Sequence, residues 1–231
     1  MPANFDLSNL ALKALAPSNE ILYDDKGLPS IMVKIPKMSY AELGLGSSTA
    51  IHPAFIVNGQ EVDAIYISKY QNIVQDGRAY SLPGEDPKAN INFDTALAAC
   101  TAKGAGWHLM TRAEWAMLAL WCKNNGTMPK GNNNYGKDTA DSVYQAIPSM
   151  ARDSSNRIQR VATGTGPLSW SHDGTPNGIW YLLATSMNGL AVSARFTARF
   201  RFLPTTTPPT RTRARPLAAL SGRRSTPATA H

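Results

Sequence analysis

The acidic residues of this 231-residue chain stop at Asp173, and its lysines stop at Lys137. Residues 1–183 carry sixteen acidic and fifteen basic side chains, whereas residues 184–231 carry eight arginines and neither an acid nor a lysine. Because a folded domain normally mixes both signs of charge on its surface, we expect the domain to end near residue 183. The net charge of +7 then belongs to the C-terminal segment, so the first 183 residues give no support to a nucleic-acid function.

Three segments follow from this break in composition. Residues 31–183 form the main domain, and residues 184–231 form a basic tail rich in Pro, Thr and Arg that we expect to be poorly ordered. Residues 1–30 form an N-terminal arm. Four leucines of the arm fit one short amphipathic helix: Leu7, Leu10, Leu12 and Leu15.

The N-terminus does not resemble a secretory signal, because it carries Asp6 and no basic residue before an apolar stretch. No apolar run approaches the roughly 20 residues of a membrane span. We therefore expect synthesis in the cytoplasm and no membrane partner. Cys100 and Cys122 lie in apolar, helix-like segments and are expected to be buried free thiols, with a disulfide or a redox pair as the alternative.

Strand signals begin the main domain. Residues 31–36 predict a strand that a proline ends. The pair Asn58 and Gly59 predicts a hairpin turn, and the strand that follows covers residues 62–70. Apolar residues lie on both faces of this second strand, so it should be internal to a sheet.

Two helices are predicted after these strands. The first runs from about residue 93 to residue 103, with Asn92 as its N-cap. The second begins with a capping box of Thr111 and Glu114, in which each side chain satisfies an unpaired backbone amide of the other. It should end at Asn125 and Gly126.

Residues 126–178 show little periodicity and several turns rich in glycine and asparagine. Their aromatic side chains need packing partners, so we expect ordered functional loops. Exposed aromatics beside amides suit contact with a sugar or a protein surface, while the alternative is that Tyr135 and Trp170 anchor the loops to the core. The candidate ligand-binding residues are Asn132, Asn133, Asn134, Tyr135, Trp170, His172, Asp173 and Asn177.

A metal site is not assigned. Asp173 and Asn177 offer oxygen ligands of the kind that Ca²⁺ prefers. Polar residues that cap turns are the commoner explanation of such a pair.

The order of these pieces resembles the formylglycine-generating-enzyme branch of the C-type lectin fold. M-V-K-I-P at residues 32–36 is similar to its first strand, and V-D-A-I-Y-I-S-K-Y at residues 62–70 is similar in part to its second. The helix motif A-x-x-C is matched loosely at residues 96–100. The Thr-x-x-Glu-Trp helix start at residues 111–115 is the best single element. N-G-I-W-Y-L-L at residues 177–183 matches the start of the closing motif, with tyrosine in place of its aspartate.

The resemblance implies an α+β, C-type lectin-like fold, with two helices around a mostly antiparallel, loop-rich β core. W-H-L-M-T at residues 107–111 and G-N-N-N-Y-G at residues 131–136 are similar to phage and prophage proteins of this fold. Among these are retroelement-diversified variable proteins similar to the major tropism determinant. The resemblance thus implies a non-catalytic ligand- or receptor-binding protein without a cofactor, located in the phage tail. Its expected partner is a bacterial cell-surface protein or glycan, and a homo-oligomer is compatible with it.

Two alternatives stay open. The first is an enzyme of the formylglycine-generating class or a degenerate form of one, but the copper-binding cysteine pair of that family has no match here after Cys122. Related sulfoxide synthases bind iron through histidines, and the four histidines of this chain lack a His-x3-His spacing. We therefore assign no catalytic residue and expect His108 to be structural. The second alternative is a nucleic-acid binder that acts through the basic tail.

A shift of reading frame after Leu183 explains the composition of the tail. If one G precedes the codons of residues 184–190, the regrouped triplets can encode Gly-Asn-Val-Asn-Glu-Trp-Ser, and the Gly and Glu are forced by the codons. This is the sequence with which the resembled family continues. A native disordered tail that binds acidic surfaces through its charge is the alternative.

We expect the gene to encode G-N-V-x-E-W in a shifted frame directly after the Leu183 codon. Nucleotide sequencing across that codon tests whether the motif is present. If neither shifted frame encodes the motif, the tail is native and the frameshift hypothesis fails. A neighbouring reverse-transcriptase or phage tail gene is expected on the same hypothesis.

Overall fold

The computed structural model describes residues 3–141, 143–180, 182 and 198–200. Within them the chain is α+β, as predicted, with short antiparallel strands, and it contains no helix long and apolar enough to cross a membrane. The helices are α1 (Ala3–Leu15), α2 (Phe93–Thr101) and α3 (Arg112–Asn124). The strands are β1 (Asn19–Tyr23), β2 (Pro29–Pro36), β3 (Ile56–Val57), β4 (Gln60–Glu61), β5 (Ala64–Ser68), β6 (Ile73–Gln75), β7 (Arg78–Tyr80), β8 (Trp107–Leu109) and β9 (Ala198–Phe200).

Five strands form one antiparallel sheet in the order β1-β2-β5-β9-β8. β5 pairs with β2 on one side and with β9 on the other, which confirms that the predicted second strand is internal. β9 lies between β5 and β8, and Phe200 is the backbone partner of both Tyr66 and Trp107. The remaining strands form two hairpins, β3-β4 and β6-β7.

Successive side chains of a strand point to opposite faces of the sheet. Both faces of this sheet are buried, each by a different apolar cluster. On one face the side chains of Val33, Ile35, Ile65 and Ile67 belong to the same apolar cluster as Met117 and Leu118 of α3. On the other face a second cluster joins the sheet to α2. Its members are Leu22, Met32, Tyr66, Ala79, Ile91, Ala96, Ala99, Cys100 and Trp107.

The two cysteines belong to these different clusters. Cys100 lies in the cluster against α2, and Cys122 lies in the cluster against α3. Both are free and buried, which confirms the predicted thiols. Burial raises the pKa of Cys100 to about 12 and that of Cys122 to about 11, so neither is an activated nucleophile.

Both predicted helix starts are confirmed. The side chain of Asn92 accepts a hydrogen bond from the amide of Thr95, at 2.8 Å. At α3 the amide of Thr111 donates to Glu114 Oε2 at 2.7 Å, and the amide of Glu114 donates to Thr111 Oγ1 at 3.4 Å. Glu114 is fully buried, and its Oε1 lies 3.3 Å from Nε2 of His108. The capping box therefore also ties α3 to β8.

The hairpin predicted at Asn58 and Gly59 is present. The prediction that residues 62–70 form its second strand is wrong. Both residues have positive φ, at 51° and 78°, as a type I′ turn requires. However, only Gln60 and Glu61 pair with β3. The chain bends at Asp63 and then enters the five-stranded sheet as β5, because the apolar residues that follow are buried on both faces there.

Several further strand pairings were not predicted, and two of them lie in the first 80 residues. β1 lies within the N-terminal arm and forms the edge of the main sheet against β2. β6 and β7 form a hairpin around Asp76 and Gly77, whose φ angles are 49° and 73°. Ala198–Phe200 is the one part of the tail that is described, and the expectations for the rest of residues 184–231 lie outside the described residues.

Lys103 follows α2 and is fully buried. Its Nζ donates a hydrogen bond to Ser30 Oγ at 2.6 Å and lies 3.3 Å from the centroid of the Trp107 ring. Burial lowers the pKa of Lys103 to about 7, and the negative charge of Asp24 opposes part of this shift. The buried ammonium is thus costly to keep charged, although an aromatic ring and a hydroxyl contact it.

We expect the free energy of unfolding to rise as the pH increases above 7. The pKa of Lys103 is about 7 in the folded chain, against 10.5 for an ordinary lysine. Between these values the unfolded chain binds a proton that the folded chain does not, so folding gains up to about 1.4 kcal/mol per pH unit. Lys103→Met should remove this slope, as urea unfolding at about pH 7 and about pH 8.5 would measure.

Lys13→Met is the matched control. Lys13 is an exposed lysine whose Nζ lies 2.8 Å from Glu20 Oε1, so its loss should leave the slope unchanged. An unchanged slope in Lys103→Met would contradict the role assigned to the buried ammonium.

Candidate functional site

A third apolar cluster lies beneath the loop-rich residues 126–178, which we call the loop layer. Trp170 is fully buried at its centre, and Gly166 lies so close to the indole that a Cβ there would clash with the ring. Trp170 therefore anchors the loop layer and does not present a surface to a ligand. The cluster contains Ala146, Ile158, Val161, Trp170 and Trp180, with Tyr70 packed against it.

The asparagine-rich turn at residues 131–136 is organised by Asp138. Its Oδ2 accepts hydrogen bonds from the amide of Gly131 and from Nδ2 of Asn133, both at 2.9 Å. Asn132 is fully buried, and its Oδ1 accepts from the amide of Gly136 at 2.6 Å. Asn134 is exposed. Of the three asparagines predicted to bind a ligand, Asn132 is therefore inside the loop, whereas Asn133 and Asn134 are at its surface.

Tyr135 is half-buried and is covered by Arg157. The guanidinium carbon lies 4.6 Å from the centroid of the ring, and Arg157 Nη1 donates to the tyrosine hydroxyl at 3.1 Å. Asp153 accepts from Nε of Arg157 at 3.0 Å. Hydrogen bonds from the amides of Arg157 and Ser155 lower the pKa of Asp153 despite some desolvation. Tyr135 is therefore fixed in place and keeps only part of its side chain at the surface.

His172 is a buried structural residue. Its Nδ1 accepts a hydrogen bond from the amide of Ile179 at 2.9 Å, and its ring centroid lies 4.8 Å from that of Trp121. Burial lowers the pKa of His172 to about 4, with a small opposing effect from Asp173. The neutral ring is therefore an acceptor within the fold and is not placed to take up a proton near neutral pH.

Asp173 organises the turn that follows. Its Oδ1 accepts from Ser171 Oγ at 2.8 Å and from the amide and hydroxyl of Thr175, both at 2.9 Å. Burial raises its pKa, but the hydrogen bonds from Thr175 and Ser171 outweigh this and lower it overall. Only a glycine fits at position 178, because a Cβ there would clash with Oδ1 of Asp173. This donor pattern is typical of an Asx turn.

Asn177 is linked to the main sheet through the side chains of Asn19 and Lys69, which were not among the predicted site residues. Its carbonyl oxygen accepts from Nδ2 of Asn19 at 2.6 Å, and Oδ1 of Asn19 accepts from the buried ammonium of Lys69. Burial lowers the pKa of Lys69, and the charge of Asp173 opposes the shift. The sequence offered one indication of this buried contact, which is that Lys69 lies in an otherwise apolar predicted strand.

The structure therefore separates the predicted residues into two groups. The turn at residues 131–136 lies against the third cluster at Gly136, where a Cβ would clash with Ile158. The turn at residues 171–178 packs on the main sheet. Within the described ranges, no group of three or more His, Cys, Asp or Glu side chains is arranged to hold a metal ion. Calcium binding by Asp173 and Asn177, for which the sequence analysis assigned no site, stays untested.

Four exposed apolar side chains were missed by the sequence analysis, although they stand together in a stretch without periodicity. We call them the 143–150 surface: Val143, Tyr144, Ile147 and Met150. The backbone beneath them is held on both sides. The amide of Ala146 donates to Gly136 O at 2.8 Å, and Ile147 O accepts from the amide of Ala162 at 2.8 Å.

No protein-family model matches the chain, and no curated protein matches it.

We expect Asp138→Ala to loosen the turn at residues 131–136. The change removes the acceptor of the Gly131 amide, of Asn133 Nδ2 and of the Ala140 amide. Loss of hydrogen bonds to a buried carboxylate should lower the free energy of unfolding by about 1–3 kcal/mol. Hydrogen exchange should show faster exchange at the amides of Gly131 and Ala140.

Asp141→Ala provides the control in the same loop. The Asp141 carboxylate lies 4.0 Å from Nζ of the partly exposed Lys130, and so long an ion pair near the surface contributes about 1 kcal/mol or less. Equal losses of protection in both variants would contradict the organising role of Asp138.

Proposed function

We propose that the chain is a non-catalytic, C-type lectin-like binding protein of phage or prophage origin, whose loop layer recognises a bacterial cell surface. The fold type and the phage origin come from the sequence resemblance, and one structural observation supports recognition by the loop layer: the 143–150 surface is exposed yet held on a buried framework. Val143 is 81% exposed and Tyr144 and Ile147 are each 61% exposed, whereas Ala146 between them is buried. Such an arrangement offers contacts that lose little conformational entropy on binding.

The composition of this surface favours a protein ligand over a glycan. A tyrosine beside branched aliphatic side chains matches the centre of protein interfaces, where water is excluded around an aromatic anchor. The exposed Asn134 and the partly exposed Tyr135 lie on the turn that pairs with the same segment through Gly136 and Ala146. They offer hydrogen-bonding groups on a turn that is joined to the segment of the 143–150 surface.

Several side chains that could serve as an acid, a base or a thiol nucleophile are instead built into the fold. His172 and Glu114 are buried and hydrogen-bonded within the fold, and both cysteine thiols have raised pKa values. A nucleophile needs the opposite environment, with a lowered pKa and an adjacent base. The runner-up, an enzyme of the formylglycine-generating class, gains no support from these groups.

The double variant Tyr144→Ser/Ile147→Ser tests the proposal. We expect labelled protein to bind intact cells of a subset in a panel of bacterial strains, and we expect the variant to lose at least about tenfold in affinity. Flow cytometry over a concentration series measures the binding. Protease treatment of the cells should abolish it, because the proposed ligand is a protein.

Leu45→Ser is the matched control, since Leu45 is an exposed apolar residue on another loop. Thermal melting of each variant checks that the fold is retained. Equal binding by the double variant and the control would refute the assignment of the surface. Stoichiometric copper or iron in the purified protein would instead support the enzyme alternative.

A further inference from the structure

Helix α1 is attached to the rest of the chain by its polar side. Oδ1 of Asn9 accepts a hydrogen bond from the amide of Ile21 in β1, at 3.1 Å. Nζ of Lys13 lies 2.8 Å from Oε1 of Glu20. Because Asn9 and Lys13 are four residues apart, they lie on one face of the helix, and that face is turned toward the edge of the sheet.

The opposite face of α1 is apolar and exposed. Leu7, Leu10, Ala11 and Ala14 have the i, i+3, i+4, i+7 spacing of one helical face, and Leu15 lies beside them. Leu7, Leu10 and Leu15 are 64%, 65% and 84% exposed, so these large side chains are among the most exposed in the described residues. An amphipathic helix normally buries this face, and here the orientation is reversed. We call these five residues the apolar stripe.

We propose that the apolar stripe of α1 is a self-association surface, which packs against the same stripe of a second copy of this chain. The proposal does not depend on the function proposed for the loop layer. Self-association explains why the apolar face of α1 is turned outward. A helix this short is marginally stable in water unless its apolar face is packed.

Charge and shape favour a second copy as the occupant. The five residues of the stripe are uncharged, and the nearby ammonium of Lys13 is paired with Glu20, so neither the stripe nor this lysine adds strong like-charge repulsion between two copies. Ala11 and Ala14 allow the two backbones to approach closely between the leucines. A lipid surface fits less well, because helices that lie on membranes carry several Lys or Arg side chains on the polar face.

The size of the stripe sets the strength of the association. A helix of 13 residues is about 20 Å long, so a pair of such helices buries less than the roughly 800 Å² per partner of a stable complex. The contact is therefore weak and depends on protein concentration. Two associated copies display two loop layers, and a surface with repeated receptors then binds with higher avidity.

Sedimentation velocity of the full chain at about 1–200 µM tests the proposal. The sedimentation coefficient of the wild type should rise with concentration, and that of Leu7→Glu/Leu10→Glu should stay at the monomer value. Phe93→Glu is the matched control, because Phe93 is 62% exposed on a different helix. It should associate as the wild type does. Circular dichroism checks that each variant is folded.

A cysteine crosslink gives a second measurement without disturbing the leucines. Ala11 is central in the stripe, so Ala11→Cys faces its own copy whether the two helices run parallel or antiparallel. Mild oxidation should give a disulfide-linked dimer, whereas Phe93→Cys should give none above background. Cys100 and Cys122 are buried and do not compete.

Three results would overturn the proposal. The first is a wild type that stays monomeric over the whole concentration range and an Ala11→Cys variant that does not crosslink. The second is association that persists in Leu7→Glu/Leu10→Glu, because the interface then lies elsewhere. The third is co-sedimentation of the wild type, but not of this double variant, with phosphatidylcholine vesicles, which would assign the stripe to lipid.

Discussion

The burial of β5 on both faces is the constraint on which the rest of the fold depends. Ile65 and Ile67 are fully buried on the side of α3, while Tyr66 between them is buried on the side of α2. A slip of one residue in the register with β2 would exchange these two sets of side chains. The same burial explains why the hairpin after Asn58 is so short, since the strand leaves it to reach the centre of the sheet.

Elements defined by local interactions were predictable from the sequence, and those defined by distant partners were not. The N-cap of Asn92 and the capping box of Thr111 and Glu114 involve residues three apart, so the chain specifies them locally. β1 and β9 have no such signal. They are strands because β2, β5 and β8 offer backbone groups to pair with, and this depends on the assembled sheet.

The candidate site shows the same division. Composition predicted that the asparagine-rich turn and the turn after Trp170 are ordered polar loops, and it left open whether their aromatic side chains contact a ligand or anchor the loops to the core. It gave no means to tell the buried Asn132 from the exposed Asn134, because that depends on which backbone amide each side chain meets. The link from Asn19 to Asn177 joins residues 158 positions apart and lies beyond any local pattern.

The position of β9 has a consequence for synthesis. The strand that joins β5 to β8 comes from residues 198–200, whereas its partners lie before residue 110. A chain that emerges from the ribosome therefore carries two unsatisfied strand edges until its last quarter has been made. We expect this late closure of the sheet, across so long a separation in sequence, to slow folding and to favour aggregation of the unfinished chain.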